Sequence, residues 1–490
     1  MSEKSPSSIF KGALLTISMR WTDRLIGFVS TLILARLLVP ADFGVIAVAS
    51  LIVGLVDVLL DLGVNVALIQ NRHATDAHFN TAWTLRLIQT VVGALIIYIA
   101  APYAAVYFKD PRVTPVLQVM AIGLILVGME NIGVITFQKE MKFSLDFRFT
   151  FCKRISGFIV TMLAAWLLRS YWALVIGALA GRSIGVLLSY QMHPMRPRLT
   201  LQKQKEIFSI SQWMLLQSLG NYLNHNLHSM LVGRRASATV MGGYTLAGEI
   251  SAMPSTEVLA PLNRVLFPAF VKNKDQPVEL KKIFLLAQSV QCLLGIPAGI
   301  GIALIAPEAV QVILGEAWLF AIPFLQILAL VHVTEAITTS SGYLLISIGK
   351  LRDAVVITWM QVLFFVLAIT MIFAESSVKQ IAWLRVATVF IGLFLSFWRL
   401  TRTLNNLSLL DLFRSIFRPL FAVLVMAAVI FSIGNLFVLS AITGLILKIV
   451  LGLLIYPSVV MLIWWLSGRP AGAETYILEK VLFILKRTSR

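Results

Sequence analysis

The chain has 490 residues, of which 58% are hydrophobic and 13% are charged, and its mean hydropathy is +0.87. This composition excludes the soluble globular classes, in which about 25% of residues are charged. The net charge of +18 does not indicate a nucleic-acid surface, because Lys and Arg recur in short loops between apolar segments instead of forming one basic block.

Apolar stretches follow one another along the chain at the length of a membrane helix, which needs about 20 such residues. The sequence therefore predicts an all-α integral membrane protein with about fourteen transmembrane helices. The predicted spans are residues 12–38, 43–69, 82–108, 113–137, 149–168, 172–191, 207–232, 240–270, 283–306, 318–348, 354–373, 378–398, 419–439 and 441–466.

These spans divide into two groups of six and a final pair. The predicted domains are an N-lobe at 1–200, a C-lobe at 201–402, an interfacial segment with the last two helices at 403–466, and an amphipathic tail at 467–490. An internal repeat supports the division, because Arg36 precedes Gly44 by the same spacing as Arg235 precedes Gly243. We expect two pseudo-symmetric six-helix lobes around a central cavity.

The distribution of basic residues predicts the orientation of the chain. An even number of spans puts both termini on one side of the membrane. Lys and Arg lie mainly in the terminal segments and in the loops on that side, which is therefore predicted to be cytoplasmic.

Arginines inside the predicted spans are the main functional signal. A charged side chain at the bilayer centre costs at least about 2.5 kcal/mol, so it must face a cavity, a partner or an interface. Arg20, Arg24 and Arg182 are predicted to line a water-filled cavity and to bind a diphosphate, because the planar guanidinium suits phosphate oxygens. The alternative is that they form interhelical ion pairs that fix packing.

Other polar residues within or beside the spans give three further groups of candidates. A polar face of the seventh span is predicted to bond glycan hydroxyls through Asn221, Asn224, His225 and His228. Candidates for coupling to H⁺ or Na⁺, with a structural role left open, are Asp57, Asp61, Glu257 and Glu335. A cytoplasmic cargo mouth, or simple snorkelling to lipid headgroups, is assigned to Arg86, Lys153, Arg154 and Arg264.

The remaining motifs indicate packing and not catalysis. Gly177, Gly181 and Gly185 form a doubled GxxxG, which predicts a close helix–helix contact. The two histidines of the seventh span are too few for a metal site, and no cofactor is expected. No hydrolase, nucleotide-binding or metalloprotease motif occurs, so the chain is not predicted to be an enzyme.

Several segments of the first half carry a family likeness. They are ARLLVPADFGVIAVA at 35–49, LGVNVALIQ at 62–70, YFKDP at 107–111, FQKEMKF at 137–143 and YWALVIG at 171–177. The chain thereby resembles the polysaccharide transporter family of Wzx-type flippases, which belongs to the multidrug/oligosaccharidyl-lipid/polysaccharide superfamily. Its members include exporters for colanic acid, amylovoran and teichuronic acid.

The resemblance implies a function and a location. It implies a flippase that moves undecaprenyl-diphosphate-linked oligosaccharide from the cytoplasmic to the periplasmic leaflet of a bacterial inner membrane, by alternating access, for exopolysaccharide, capsule or O-antigen export. It also implies cavity cations for the diphosphate and a groove near the last two helices for the lipid tail. Membrane lipids and polysaccharide assembly proteins are the other expected partners, and nucleic acid is not one.

Two alternatives remain at this point. A drug or cation antiporter of the same superfamily would need a cavity dominated by acidic residues, whereas the arginines within the spans favour an anionic cargo. An integral-membrane glycan polymerase would need a large extramembrane loop, and the predicted outward loops are short turns.

Overall fold

A computed structural model of the chain describes residues 22, 24–61, 63–64, 68–69, 71, 73–207, 212–372, 375–404, 406–436, 440–470, 472–476 and 478–479. Over these residues it consists of helices and turns, with no strand. The chain packs as two compact units. Unit 1 contains Met1–Tyr222 and Gly233–Gly242, and unit 2 contains Leu223–Val232 and Gly243–Arg490.

Unit 1 is built from helices joined mostly by tight turns. They are α1 (24–37), α2 (Pro40–Leu60), α3 (Asp76–Phe108), α4 (Val113–Met129), α5 (Ile135–Lys139), α6 (Phe143–Leu168), α7 (Trp172–Met192) and α8 (Gln204–Ile207). The next helix, α9 (Gln212–Arg235), contributes residues to both units.

Several helices of unit 2 contain proline or adjoin a π-helical turn. The helices are α10 (Ala238–Pro254), of which residues 238–242 belong to unit 1, α11 (Ala260–Lys272), α12 (Pro277–Ala309), α13 (Ile322–Ser347), α14 (Leu351–Met371), α15 (Val378–Thr403), α16 (Leu409–Leu436) and α17 (Ala441–Leu466). The π-helical turn Ser255–Leu259 joins α10 to α11, and another, Val310–Leu314, follows α12.

The structure confirms a multi-pass helical membrane protein. Ten helices of the described part of the chain are long and apolar enough to cross a bilayer, and α4 with α5 makes an eleventh if the bent pair is one span. Large apolar side chains such as Trp166 and Phe394 are exposed on helix surfaces, where lipid would cover them. The count of fourteen spans and the division of the chain into lobes stay predictions.

The span predicted at 113–137 is bent in the structure. Helix α4 ends at Met129, and the axis turns by 63° before α5. Asn131 lies at the bend: its backbone N–H donates to Oγ of Ser189 at 2.9 Å, and its side-chain amide donates to the Met195 carbonyl at 2.8 Å. These bonds replace the helical ones and so redirect the chain.

Helices α6 and α7 pack through the three glycines of the doubled GxxxG. All three are buried. A Cβ at Gly177 would overlap the hydroxyl group of Thr161, and a Cβ at Gly185 would lie 2.9 Å from the aliphatic stem of Lys153. The predicted close contact is therefore confirmed, since the missing Cβ atoms make room for side chains of the facing helix.

Helices α2 and α10 begin with a reciprocal glycine contact inside unit 1. A Cβ at Gly44 would clash with the carbonyl group of Ala238, and a Cβ at Gly242 would clash with the carbonyl group of Pro40. Gly44 lies four residues after Pro40, which Gly242 approaches, and Gly242 lies four residues after Ala238, which Gly44 approaches. The structure therefore pairs Gly44 with Gly242, whereas the sequence repeat pairs Gly44 with the next residue, Gly243.

The C-terminal region folds back onto the last helices. Residues 409–417 of the predicted interfacial segment form the first turns of α16, where Asp411 pairs with Lys281 at 2.7 Å. After α17 the chain turns, and Glu474, which is buried, pairs with Arg418 at 2.8 Å. Residues 480–490 of the predicted amphipathic tail lie outside the described residues.

Candidate functional site

Arg182 is the middle residue of α7, and its guanidinium fills a notch in the neighbouring α4. A Cβ at Gly123 would collide with this guanidinium, so only glycine leaves room for it. The acidic residue that interacts electrostatically with Arg182 is Asp57 on α2. No carboxylate lies within 4 Å of Arg182 among the described residues of unit 1, so the cation is balanced only at a distance.

The other predicted diphosphate ligands lie near the start of the described chain. Arg20 is outside the described residues. Arg24 is partly buried in the first turn of α1, and one turn later a Cβ at Gly27 would lie 3.0 Å from Nη2 of Arg154 on α6. The structure thus brings the Arg154 guanidinium to the part of α1 that carries Arg24.

Two of the residues predicted to form a cargo mouth converge on one buried acid. Nζ of Lys153 lies 2.9 Å from Oε2 of Glu130, and a guanidinium nitrogen of Arg86 lies 4.0 Å from the same oxygen. Glu130 is only 5% exposed and ends α4 at the bend. These three residues, the Glu130 cluster, link α3, α4 and α6. Arg264 lies in α11, but its side chain is outside the described part of the structure.

The four predicted coupling acids do not form one group. Asp57 is exposed on α2, and Asp61 at the end of that helix accepts a hydrogen bond from the N–H of Gly63 at 2.9 Å. Glu257 lies in the π-helical turn between α10 and α11, a feature that often occurs at functional sites. Glu335 is different, because it lies in a polar cavity of unit 2.

This cavity has a volume of about 190 Å³ and lies among α9, α10, α13 and α15. Its polar lining is His225, His228, Tyr244, His332, Glu335 and Arg385, with Ser229, Thr245 and Ser251. Glu335 and His225 are each the fourteenth residue of helices 26 and 24 residues long, so they lie near mid-span. A polar cavity at this depth is expensive unless it serves a polar cargo or ion.

Hydrogen bonds and one longer electrostatic contact organise the cavity. Nδ1 of His332 lies 2.7 Å from Oε2 of Glu335, and Nδ1 of His225 lies 3.9 Å from Oε1 of the same carboxylate. Nδ1 of His228 and the hydroxyl of Tyr244 form a hydrogen bond of 2.8 Å. The His332 imidazole thus holds the glutamate, and the His225 ring lies on its other oxygen at a longer distance.

Arg385 on α15 is the permanent cation of the cavity. Its side chain is buried, with the residue 3% exposed, and one guanidinium nitrogen donates to the side-chain oxygen of Asn224. Asn224 in turn donates to the Gln361 side chain at 3.0 Å. A Cβ at Gly392, two turns after Arg385 on the same helix, would clash with Gln361. Glycine there leaves room for the amide that positions Asn224.

The four polar residues predicted on the seventh span separate in the structure. Asn224, His225 and His228 belong to unit 2, and the two histidines line the cavity. Asn221 belongs to unit 1, where it accepts a hydrogen bond from Gln217 at 2.8 Å. Their predicted contact with a glycan stays a prediction.

The sequence interpretation gave no role to Arg385, His332 or Tyr244. Two signals were present: His332 and Glu335 have the i, i+3 spacing that puts side chains on one helix face, and Arg385 is an isolated charge within an apolar span. Their convergence with α9 could not be read from spacing, since it depends on how four helices pack.

A larger apolar cavity of about 590 Å³ lies between α12, α16 and α17. Its lining is mostly aliphatic and includes Leu293, Ile302, Met426 and Leu453. Lys448 also lines it and pairs with Glu308 at 2.6 Å. The charge of Lys448, which lies within the last span, is therefore neutralised by an ion pair.

The polysaccharide biosynthesis protein family model matches residues 33–323, which is more than half of the chain. The chain belongs to this family. The match begins in α1 and ends in α13, so it includes Arg182, the Glu130 cluster and the α9 histidines.

Three relatives have similar sequences over most of the chain. An uncharacterized membrane protein in the cps region of Klebsiella pneumoniae is 26% identical over 70% of this chain and 71% of its own. The lipopolysaccharide biosynthesis protein WzxC of Escherichia coli K12 is 26% identical over 66% of each chain. The teichuronic acid biosynthesis protein TuaB of Bacillus subtilis is 24% identical over 77% of this chain and 79% of its own.

Solved structures show the same fold. The lipid II flippase MurJ in an inward closed conformation superposes with a TM-score of 0.75 over 93% of this chain and all of that one, at 11% identity. An inward-facing multidrug resistance MATE family transporter gives 0.59 over 79% and 96% of the two chains, at 14% identity. At these identities the likeness establishes the fold alone.

Proposed function

We propose that this protein is a flippase for polyprenyl-diphosphate-linked oligosaccharide, acting in polysaccharide export. The cargo is undecaprenyl-diphosphate-linked glycan, and it moves from the cytoplasmic to the periplasmic leaflet of the inner membrane by alternating access, with both termini in the cytoplasm. Membership of the polysaccharide biosynthesis protein family supports the pathway. The fold shared with a lipid II flippase supports the kind of transport.

The observation that carries the proposal is Arg182. A guanidinium at the middle of a membrane helix, with no described carboxylate within 4 Å, is stabilised when a polyanion occupies its surroundings. A diphosphate supplies such an anion, and it cannot cross about 30 Å of hydrocarbon unaided. Arg24, with Arg154 beside its helix, is the second proposed ligand of the same group.

The apolar cavity of unit 2 suits the lipid tail of this cargo. Its aliphatic lining gains no hydrogen bond from a glycan, whereas a polyprenyl chain would bury apolar surface there. The polar cavity at Glu335 suits sugar hydroxyls or a coupling proton. With separate polar and apolar sites, the protein could bind the glycan and the lipid tail of one cargo molecule and transport both.

A drug or cation antiporter is the alternative with a related fold. Its cavity would need a net negative charge to attract organic cations. Among the described residues that line the polar cavity of unit 2, Arg385 is the one permanent cation and Glu335 the one acid, so their formal charges cancel. A cavity without a net negative charge does not favour an organic cation over a neutral or anionic polar cargo.

The proposal is tested by repressing the gene in its host and following the lipid-linked glycan. We expect undecaprenyl-diphosphate-linked oligosaccharide to accumulate several-fold on the cytoplasmic leaflet, where an added periplasmic glycosidase cannot reach it. Expression of the wild-type gene from a plasmid should reverse the accumulation. Build-up on the periplasmic leaflet would instead indicate a polymerase, and failure to make the lipid-linked glycan would indicate a glycosyltransferase.

A further inference from the structure

The chain after α17 covers one end of the apolar cavity of unit 2. The described residues of this segment, which we call the strap, are 467–470, 472–476 and 478–479. Glu474 and Leu478 of the strap line the cavity, as does Met461 near the end of α17. On α17 the lining extends from Lys448 to Met461, which is about 20 Å along the helix axis. The cavity is therefore an elongated groove that crosses about two-thirds of a bilayer core about 30 Å thick.

The flank of this groove is open to the membrane, whereas its end at the strap is closed. Ile449 and Leu453 line the groove and are 42% and 71% exposed, so an apolar chain in the bilayer can reach it from the side. At the strap, Ala473 is buried and Glu474 is only 6% exposed. The strap is thus packed into the end of the groove and does not lie loosely over it.

One ion pair holds the strap in place. Oε1 of Glu474 lies 2.8 Å from Nη1 of Arg418, which is in the third turn of α16. A buried carboxylate beside an apolar cavity is costly unless a cation neutralises it. The closed position of the strap therefore depends on Arg418, and loss of either partner disfavours that position.

The turn that leads into the strap is not favoured by its own backbone. Gly468 and Arg469 have positive φ angles of 79° and 54°, and the left-handed conformation is unfavourable for a residue with a Cβ, such as Arg469. Two side chains support the turn: Nε1 of Trp464 and Oγ1 of Thr475 each donate to the Pro470 carbonyl, at 3.1 and 3.2 Å. Because side-chain contacts hold the closed strap, a competing ligand can displace it.

The strap lies where the tail of the proposed cargo would leave the groove. Helix α16 begins, and α17 ends, on the side that is proposed to be cytoplasmic, and the strap follows α17. A cargo in the cytoplasmic leaflet has its diphosphate at this surface and its polyprenyl chain in the bilayer. When that chain lies along the groove, the part next to the diphosphate occupies the end that Glu474 and Leu478 fill.

We propose that the strap is an autoinhibitory cover, which excludes the polyprenyl tail from this end of the groove and is itself displaced when the tail is bound. The inference rests on the proposed flippase function and adds a regulatory step to it. Because the strap and the tail compete, weakening the strap tightens binding of the tail. By the same factor, a bound tail weakens closure of the strap.

Photolabelling of the groove tests whether the strap limits access of the tail. Proteoliposomes containing the full-length protein receive undecaprenyl diphosphate with a diazirine on its lipid tail, and labelled peptides of α12 and α17 are quantified by mass spectrometry. We expect Glu474→Gln to lower the lipid concentration for half-maximal labelling roughly 10-fold, because an unpaired Arg418 disfavours the closed strap. The double variant Arg418→Glu with Glu474→Arg restores the pair and should return this concentration to the wild-type value.

The matched control is Glu479→Gln, which removes the same charge from an exposed residue of the strap and should not change labelling. Transbilayer movement of the same lipid is followed in the same vesicles. Labelling that Glu474→Gln leaves unchanged or weakens would overturn the strap proposal, and so would a groove that is never labelled; the flippase function stands in both cases if the wild-type protein moves the lipid. Absence of movement by the wild-type protein would count against the flippase function itself.

Hydrogen exchange measures the reciprocal effect on the strap and requires no substitution. Exchange of the backbone amides of residues 472–476 is followed by mass spectrometry on the wild-type protein, with undecaprenyl diphosphate or inorganic pyrophosphate added. We expect the lipid to accelerate this exchange several-fold and pyrophosphate to leave it unchanged, since only the tail displaces the strap. Slower or unchanged exchange with the lipid would overturn the proposal, as would faster exchange with pyrophosphate alone.

Discussion

Replacing Arg182 with glutamine is expected to stop glycan export without unfolding the protein. Loss of one charge-assisted contact to a desolvated anion costs about 2–5 kcal/mol, which corresponds to a fall in transport of about 30-fold or more. The free energy of unfolding should be unchanged or higher, because Arg182 has no carboxylate within 4 Å among the described residues, and its removal takes a costly charge out of the membrane. Export is measured as surface polysaccharide in a strain that lacks the native gene.

The control for this variant is Arg198→Gln, which makes the same change of charge in the exposed loop after α7. It should support normal export. If Arg182 instead had a structural role, Arg182→Gln would lose stability and export together. Normal export by Arg182→Gln at wild-type protein levels would exclude this residue as a ligand of the diphosphate.

Replacing Glu130 with alanine is expected to have the largest effect on stability. The substitution would leave Lys153 and Arg86 facing each other at the bend of α4 without their shared acid. Breaking a buried ion pair from one side costs about 3–5 kcal/mol, and we expect the lower end, about 3 kcal/mol, because Lys153 is partly exposed. The measurement is thermal unfolding of the detergent-solubilised protein, followed by size-exclusion chromatography.

Two comparisons identify the cause of that loss. Glu130→Gln keeps the size of the side chain and removes its charge, so it should destabilise the protein nearly as much. Glu279→Ala removes an acid whose pair with Lys282 is exposed and 3.6 Å long, and it should change stability by less than about 1 kcal/mol. If Glu130→Ala unfolds at the temperature of Glu279→Ala, the Glu130 cluster does not hold α3, α4 and α6 together.

The features that the sequence predicted best are those that depend on the residues of one helix alone. Long apolar runs identified the membrane helices, since a bilayer requires every backbone polar group to be bonded within its own segment. The doubled GxxxG identified the contact face of α7, because glycine at i, i+4 and i+8 makes one smooth stripe whatever helix packs there. Both inferences use local periodicity alone.

The prediction of site residues was less complete, because contacts between helices decide which charges are paired. Lys153 and Arg86 were candidates for a cargo mouth, but the bend at Asn131 places the Glu130 carboxylate between them. Apolar periodicity contains no signal for a bend that depends on two side-chain hydrogen bonds. Arg385 was visible as an isolated charge, yet its cavity arises only when four helices meet.

The most direct test of the proposed mechanism is transbilayer movement of a diphosphate lipid by the purified protein. Proteoliposomes receive a fluorescent undecaprenyl-diphosphate oligosaccharide, and an impermeant quencher reports the leaflet in which it lies. The proposed mechanism predicts rapid movement with the wild-type protein, and movement at the protein-free rate with Arg182→Gln. Equal rates in wild-type proteoliposomes and in liposomes without protein would contradict the claim that membrane-embedded guanidinium groups carry a phosphorylated cargo across the bilayer.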